Sequence, residues 1–183
     1  MKKTYSDRQK GFTLIEILVA LAVIGILSTL SLVILVNTIR NSNKANITNE
    51  AKENLALISE YFDRDVRTAE SASITAFGER MTLQYNNGKP DVVWLCKSAV
   101  GQNNGHITRK VGSGAELPIT NRDPFEGVNV YTCRFSAQTS SSFTGPTIVT
   151  FEVGLKEGVG ISSGPQELKV DVYQKMTAFV RSF

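Results

Sequence analysis

Lys10-Gly11-Phe12-Thr13-Leu14-Ile15-Glu16-Ile17-Leu18-Val19-Ala20 opens an apolar run that continues to Val36. From Phe12 to Val36 the one charged side chain is Glu16. A run of that length exceeds the roughly 20 residues a helix needs to cross a bilayer. On its N-terminal side stand Lys2, Lys3, Arg8 and Lys10, against the single acid Asp7. Basic flanks of this kind hold a segment end in the cytoplasm.

Charge sorts the chain further. The 183 residues carry a formal net charge of +3, and residues 1–11 account for all of it. The remainder is neutral, so it exerts no general pull on nucleic acid. Overall composition, 42% hydrophobic and 20% charged, is that of a globular chain of one modest domain with additions.

Three readings compete for residues 1–36. A cleaved secretory signal finds an A-x-A site at Ala20-Leu21-Ala22, but mostly apolar residues follow to Val36, where cleavage should close the apolar region. A plain membrane anchor accounts for the length and the basic flank but leaves Glu16 unexplained. A carboxylate inside a membrane helix costs on the order of 2–3 kcal/mol on lenient scales, less near the interface, and marks a functional position.

The third reading explains Glu16. A short basic leader ending in Gly11, then Phe12, then an apolar stretch with a single Glu resembles the prepilin signature of type IV pilins and type II secretion pseudopilins. The resemblance covers residues 1 to about 40. It implies cleavage between Gly11 and Phe12 by a prepilin peptidase, followed by N-methylation of Phe12. It also implies that Glu16 pairs with the Phe12 amine of a neighbouring subunit as the helices stack. At about 4 Å and an effective dielectric near 20 that attraction is on the order of 4 kcal/mol before desolvation. A mis-stacked subunit leaves a charge unpaired, so the pair sets axial register as well as strength. Unlike many major pilins, residues 12–70 contain no proline, and Gly25 is the weak point of the apolar segment, costing roughly 1 kcal/mol relative to Ala.

Beyond Arg40, Ile47, Ala51, Leu55, Ile58, Phe62, Val66 and Ala69 recur at spacings of three and four, one stripe of a helix. Glu60–Arg64 and Asp63–Arg67 are expected to pair at i,i+4. Asn41-Ser42-Asn43 is a candidate soft joint. The simplest expectation is one helix from Phe12 to Ala69, roughly 85 Å long at 1.5 Å per residue. Asp63 and Asp65 are candidate carboxylates, but the helix context favours a paired Asp63 and a solvated or capping Asp65. The stretch Ile58–Ala69 also resembles the helix end of larger minor pilins and minor pseudopilins.

After residue 70 the period changes to two. Met81, Leu83 and Tyr85 alternate, Asn86-Asn87-Gly88 reads as a turn, and Val92, Trp94 and Cys96 alternate again, a hairpin signal. Val128–Phe135 is β-rich. Val149, Phe151, Val153 and Leu155 share one face. Leu168, Val170, Val172, Met176, Ala178 and Val180 share another, interrupted by Gln174. About five or six mostly antiparallel strands are expected, covering one face of the helix. Val100–Gly127, Ser136–Pro146 and Gly158–Pro165 read as loops.

Chemistry-bearing residues are sparse. Cys96 and Cys133 lie on the side expected to be exported, where two cysteines most simply form one disulfide, closing a loop of roughly 40 residues. His106 sits in a Gly/Asn context as a surface residue. Asp123 and Glu126 are a weak calcium pair, and Arg109-Lys110 with Arg122 a weak basic patch. Trp94 is expected in the sheet core. No catalytic set, metal site or phosphate loop assembles, so neither an enzyme nor a cofactor is expected.

The resulting expectation is an α+β, pilin-like fold: a long N-terminal helix, transmembrane in its first half, packed on a mostly antiparallel sheet. Its parts are a leader at 1–11, a transmembrane and assembly half at 12–39, an amphipathic half at 40–70 and a globular β-domain at 71–183. The resemblance implies a minor pilin or pseudopilin that initiates or caps a pilus or pseudopilus. Its partners would be the prepilin peptidase, other pilins, an inner-membrane assembly platform and, before assembly, lipid. It would cross the inner membrane once, N-terminus in the cytoplasm, before joining a periplasmic pseudopilus or surface pilus. The rival is a binding subunit for DNA uptake or adhesion, acting through residues 100–127.

Overall fold

The computed structural model describes residues 12–86, 88–123, 125, 127–139, 147–160 and 169–180. Gly11, Asn87, Glu126 and Leu168 therefore lie outside the described residues. The chain divides into two compact units, Met1–Asn41 and Ser42–Phe183.

Helix α1 spans Leu14–Thr68 and its assignment runs unbroken through Asn41-Ser42-Asn43, the point where the two units meet in sequence. In the first unit the side chains from Phe12 to Asn41 are all exposed. This is a helix apolar on every side and exposed along its length, which is how a lipid-facing segment reads. Its hydroxyls are turned back onto the helix: Ser28, Ser31 and Thr38 donate to carbonyls four residues earlier, so they present little polarity to the surroundings.

In the second unit the apolar stripe lies in the core. Ala51, Leu55, Ile58, Phe62, Val66 and Ala69 are buried, and Ile47 is half-buried where the stripe begins. Arg67 Nε donates to Asp63 Oδ1 at 2.6 Å, the expected i,i+4 pair. Arg64 does not turn to Glu60; its guanidinium lies 4.7 Å from the centroid of the Tyr61 ring, 4.0 Å from Asp65 Oδ1.

The stripe packs on two antiparallel sheets, not one sheet of five or six strands. Sheet 1 holds β1 (Ser71–Ile74), β2 (Arg80–Gln84), β3 (Val92–Lys97), β4 (His106–Val111) and β5 (Leu117–Pro118), in chain order. Sheet 2 holds β6 (Val128–Thr139), β7 (Thr147–Glu157) and β8 (Asp171–Phe179), again in order. The β2–β3 hairpin is present, pairing Met81 with Trp94 and Leu83 with Val92. Val149, Phe151, Val153 and Leu155 are fully buried, as their alternation requires. Phe62 and Trp94 meet edge-on at 6.3 Å, and Phe151 lies 5.5 Å from Phe62 while stacking on Phe135 at 4.3 Å. Aromatic pairs of this kind add about 0.5–1.5 kcal/mol each beyond area burial.

Two of the expected loops contain strand. Val100–Gly127 holds β4 and β5, and Ser136–Pro146 begins with the last residues of β6. In β4, Ile107, Arg109 and Val111 share the face of their β3 partners Cys96, Trp94 and Val92, with Ile107 buried, Arg109 half-buried and Val111 exposed at the strand end. An arginine in the middle of an inward row breaks the alternation that identifies a strand. Of the third expected loop, 158–160 is non-strand and 161–165 lies outside the described residues.

The sheets are tied together at three places. Cys96 on β3 and Cys133 on β6 form a disulfide, with Cα atoms 5.8 Å apart and a sequence separation of 37. Val130 N–H donates to Gly105 O at 2.9 Å, and Phe135 N–H to Gly78 O at 2.7 Å. Gly78 has φ +73°, and a Cβ there would lie 2.6 Å from Phe135 O. Only a glycine lets the β1–β2 turn lie against β6 in this way.

Candidate functional site

The first described residues build a small polar device at the start of α1. Thr13 precedes the first helical residue, so it occupies the N-cap and Glu16 the third helical position. Thr13 N–H donates to Glu16 Oε2 at 3.0 Å, and Thr13 Oγ1 donates to the same oxygen at 3.2 Å. Glu16 N–H is 3.3 Å from Thr13 Oγ1. The two residues form a reciprocal capping box, which satisfies helix donors that otherwise lack partners. A carboxylate in the first turn also meets the positive end of the helix dipole, worth about 0.3–1 kcal/mol at an exposed site.

Glu16 thus has a second role besides the one its resemblance implies, and the Thr-x-x-Glu spacing is the signal for it. Thr13 was not among the expected site residues. Both Thr13 contacts converge on Oε2, whereas a carboxylate offers about four acceptor positions over two oxygens. The box and a cation at Oε1 are therefore compatible. Phe12 is exposed beside it.

The second unit contains a polar cluster that the sequence did not reveal. Asp65, expected to be solvated or capping, is 4% exposed. Its Oδ2 accepts from Trp94 Nε1 at 3.0 Å and from Arg109 Nε at 2.6 Å, and its Oδ1 accepts from Arg109 Nη2 at 2.9 Å. Tyr85 Oη donates to the Asp65 carbonyl at 3.0 Å, and Arg109 also sits 5.5 Å from the Tyr61 ring centroid. The hydrogen bonds that Arg109 donates to Asp65 hold its guanidinium further into its charged range. Burial, with the Asp65 charge second, pushes the Tyr85 phenol up to about 12. A carboxylate held by three donors is a tie between helix and sheet, not a base. Arg109 is consequently withdrawn from any basic patch with Lys110 and Arg122.

The remaining candidates line an open polar cleft of about 1010 Å³ around Lys97, Asn103, His106, Asn121, Arg122 and Asp123. His106 is half-buried at the start of β4, with Nδ1 3.2 Å from Asn104 O. Lys97 is balanced by Glu116 at 3.1 Å, and Glu116 is held low by the Thr108 hydroxyl and then by Lys97. Asp123 caps its own turn through Phe125 N–H at 2.7 Å. Buried Asn104 bridges the cleft wall, donating to Asp123 O and accepting from Val159 N–H. Among the described residues no three His, Cys, Asp or Glu side chains gather as a metal site.

The comparisons bear on the first of these features. Residues 6–32 match the family model of the prokaryotic N-terminal methylation motif. No curated protein and no solved structure matches the chain. The motif is one that a prepilin peptidase processes and that assembles with other pilins, in a family that is structural and not enzymatic. The apolar helix that the motif runs into fits a membrane anchor. Residues 6–32 thus carry the N-terminal methylation motif that marks type IV pilins and pseudopilins, over the capping box and the start of that helix.

Proposed function

We propose that the chain is a minor pilin or pseudopilin that initiates or caps assembly of a pilus or secretion pseudopilus. It is stored in the inner membrane, N-terminus in the cytoplasm and C-terminal domain outside. A prepilin peptidase cuts between Gly11 and Phe12, and the Phe12 amine is then methylated. In the assembled state the Phe12 amine of one subunit meets Glu16 of its neighbour. The observation that carries this reading is the motif at residues 6–32 together with the geometry at Glu16, whose capping box with Thr13 uses Oε2 and does not engage Oε1. A minor role is supported by the fifty residues after Cys133, by the proline-free helix and by the size of the β-domain.

Co-expression with a prepilin peptidase tests the processing step. The chain should shorten by the eleven residues of its leader, and Gly11→Val should remain full length. Cleavage of Gly11→Val at the same bond would remove the basis of the proposal. For the minor role, deleting the gene should reduce filament number while the remaining filaments keep their composition.

The polar cleft favours a second reading, a binding subunit for DNA uptake or adhesion acting through residues 100–127. Asn121→Ala with Arg122→Ala separates the two. Intact filaments with lost uptake or adhesion would establish binding, whereas unchanged uptake and adhesion would dismiss it.

A further inference from the structure

The second unit has three strand edges that face away from their own sheets' neighbours, and they are not alike. The β5 edge is two residues long and contains Pro118. The β1 edge is four residues long. Short strands and proline are the usual means of blunting an exposed edge. The β8 edge has neither: Asp171–Phe179 runs nine residues without Pro or Gly, in unbroken register with β7. The opposite edge of sheet 2, on β6, is already stitched to sheet 1.

Backbone geometry shows what that edge offers. Val180 N–H donates to Thr147 O at 2.9 Å, so residues at even positions direct their backbone groups to β7. In an antiparallel pair the alternate residues direct theirs away. The N–H and C=O groups of Asp171, Tyr173, Lys175, Thr177 and Phe179 therefore point outward, and among the described residues no strand meets them. Lysine often guards such an edge, but Lys175 is drawn back across the sheet onto Glu152 at 3.0 Å. Beside the edge runs a groove of about 730 Å³, lined by the apolar Leu55, Ala56 and Val172 and also by the charged Lys52, Glu60 and Asp63 of α1.

We propose that the β8 edge takes up an extended segment of a companion protein as a fourth strand of sheet 2. Backbone hydrogen bonds to the outward residues supply affinity. Side chains of the added strand on the inner face enter the groove, where Leu55, Ala56 and Val172 suit small apolar residues and Lys52, Glu60 and Asp63 disfavour long ones. On the outer face the Lys175 ammonium has donors beyond the one that Glu152 engages, so an acidic side chain suits the position opposite it. The same charge argues against a second copy of this chain: antiparallel self-pairing over the full strand sets Lys175 opposite Lys175, and like charges directly opposed are destabilising.

The probe is a capped nine-residue peptide with Val at positions 2, 4, 6 and 8, Glu at position 5 and Thr elsewhere. Its binding to the full chain in detergent micelles is read by fluorescence anisotropy, with amide exchange read in parallel. Binding should slow exchange at Lys175 and Thr177. Thr177→Pro removes an outward N–H without touching the β7 ladder, and should weaken binding at least tenfold. Thr177→Val, which keeps the N–H, should change it less than twofold. Exchange at the β7 amides checks that Thr177→Pro is folded, and if it is not, protection of the wild-type amides decides. Equal binding to Thr177→Pro, or no added protection, would overturn the proposal. So would amides already protected without peptide, which would mean the chain covers its own edge, or a dimer that Thr177→Pro dissolves. The measurement needs neither leader cleavage nor a filament, so it succeeds or fails separately from the pilin reading.

Discussion

Arg109 on β4 grips the carboxylate of Asp65 on α1 through two nitrogens, Nε at 2.6 Å and Nη2 at 2.9 Å, across 44 residues of sequence. The bidentate contact, with Trp94 as a third donor, fixes the end of the helix against β3 and β4. Removing one partner strands a buried charge. Arg109→Ala, which leaves the Asp65 charge at 4% exposure, should therefore cost about 3–5 kcal/mol in urea unfolding. A double-mutant cycle with Asp65→Ala should give a coupling of about 0.5–3 kcal/mol. Additive single effects would show that the two side chains do not act together.

Alkaline titration provides a test of the same region. The Tyr85 phenol, ordinarily near 10.0, is pushed up to about 12 because burial and the Asp65 charge oppose its anion. The folded state therefore binds the Tyr85 proton more tightly than the unfolded state does. This contribution is fully present below pH 10 and is lost as pH rises through 12. The stability of the wild type relative to Tyr85→Phe should fall across that window, measured by denaturant midpoints at matched pH. A difference that stays flat from pH 9 to 12 would contradict the assignment.

At Gly78 a side chain meets two obstacles, a φ of +73° and the Phe135 carbonyl. Gly78→Ala should lose at least about 1–3 kcal/mol from backbone strain alone. The loss should appear in thermal unfolding with the disulfide intact. By contrast, Gly88→Ala, where φ is +69° but no atom lies within 4 Å of the added Cβ, should lose less.

The capping box makes Thr13 an experimental handle on Glu16. Thr13→Ala should cost about 0.5–2 kcal/mol of local helix stability, seen as faster amide exchange in the first turn of α1 in micelles. Thr13→Ser keeps a hydroxyl and should exchange like the wild type. If Ala and Ser behave alike, the box does not hold the helix start.

Legibility in the sequence followed the range of the interaction. The helix stripe from Ala51 to Ala69 and the inward row Val149 to Leu155 were readable because each element carries its own period. The Cys96–Cys133 pair was readable because two cysteines admit one intramolecular pairing. β4 was not: Arg109 interrupts its inward row, and its justification, Asp65, lies on a different element. Asp65 reads as solvated or capping for the same reason, since helix spacing offers it no basic residue at i±3 or i±4 and says nothing of a strand 44 residues away. Thr13 carries a local signal, the Thr-x-x-Glu spacing, but Glu16 stands in an apolar run where its charge is the more conspicuous feature.

The disulfide between β3 and β6 has a further consequence. Everything from Lys97 to Thr132, including β4, β5 and the polar cleft, lies inside one covalent ring. A protease that nicks the backbone anywhere in that ring does not release the helix-bearing part from the C-terminal sheet. Nicked and intact molecules would migrate as one species until a reductant opens the ring, and then separate into two fragments. The segment that carries the cleft can be severed while the subunit stays a single molecule.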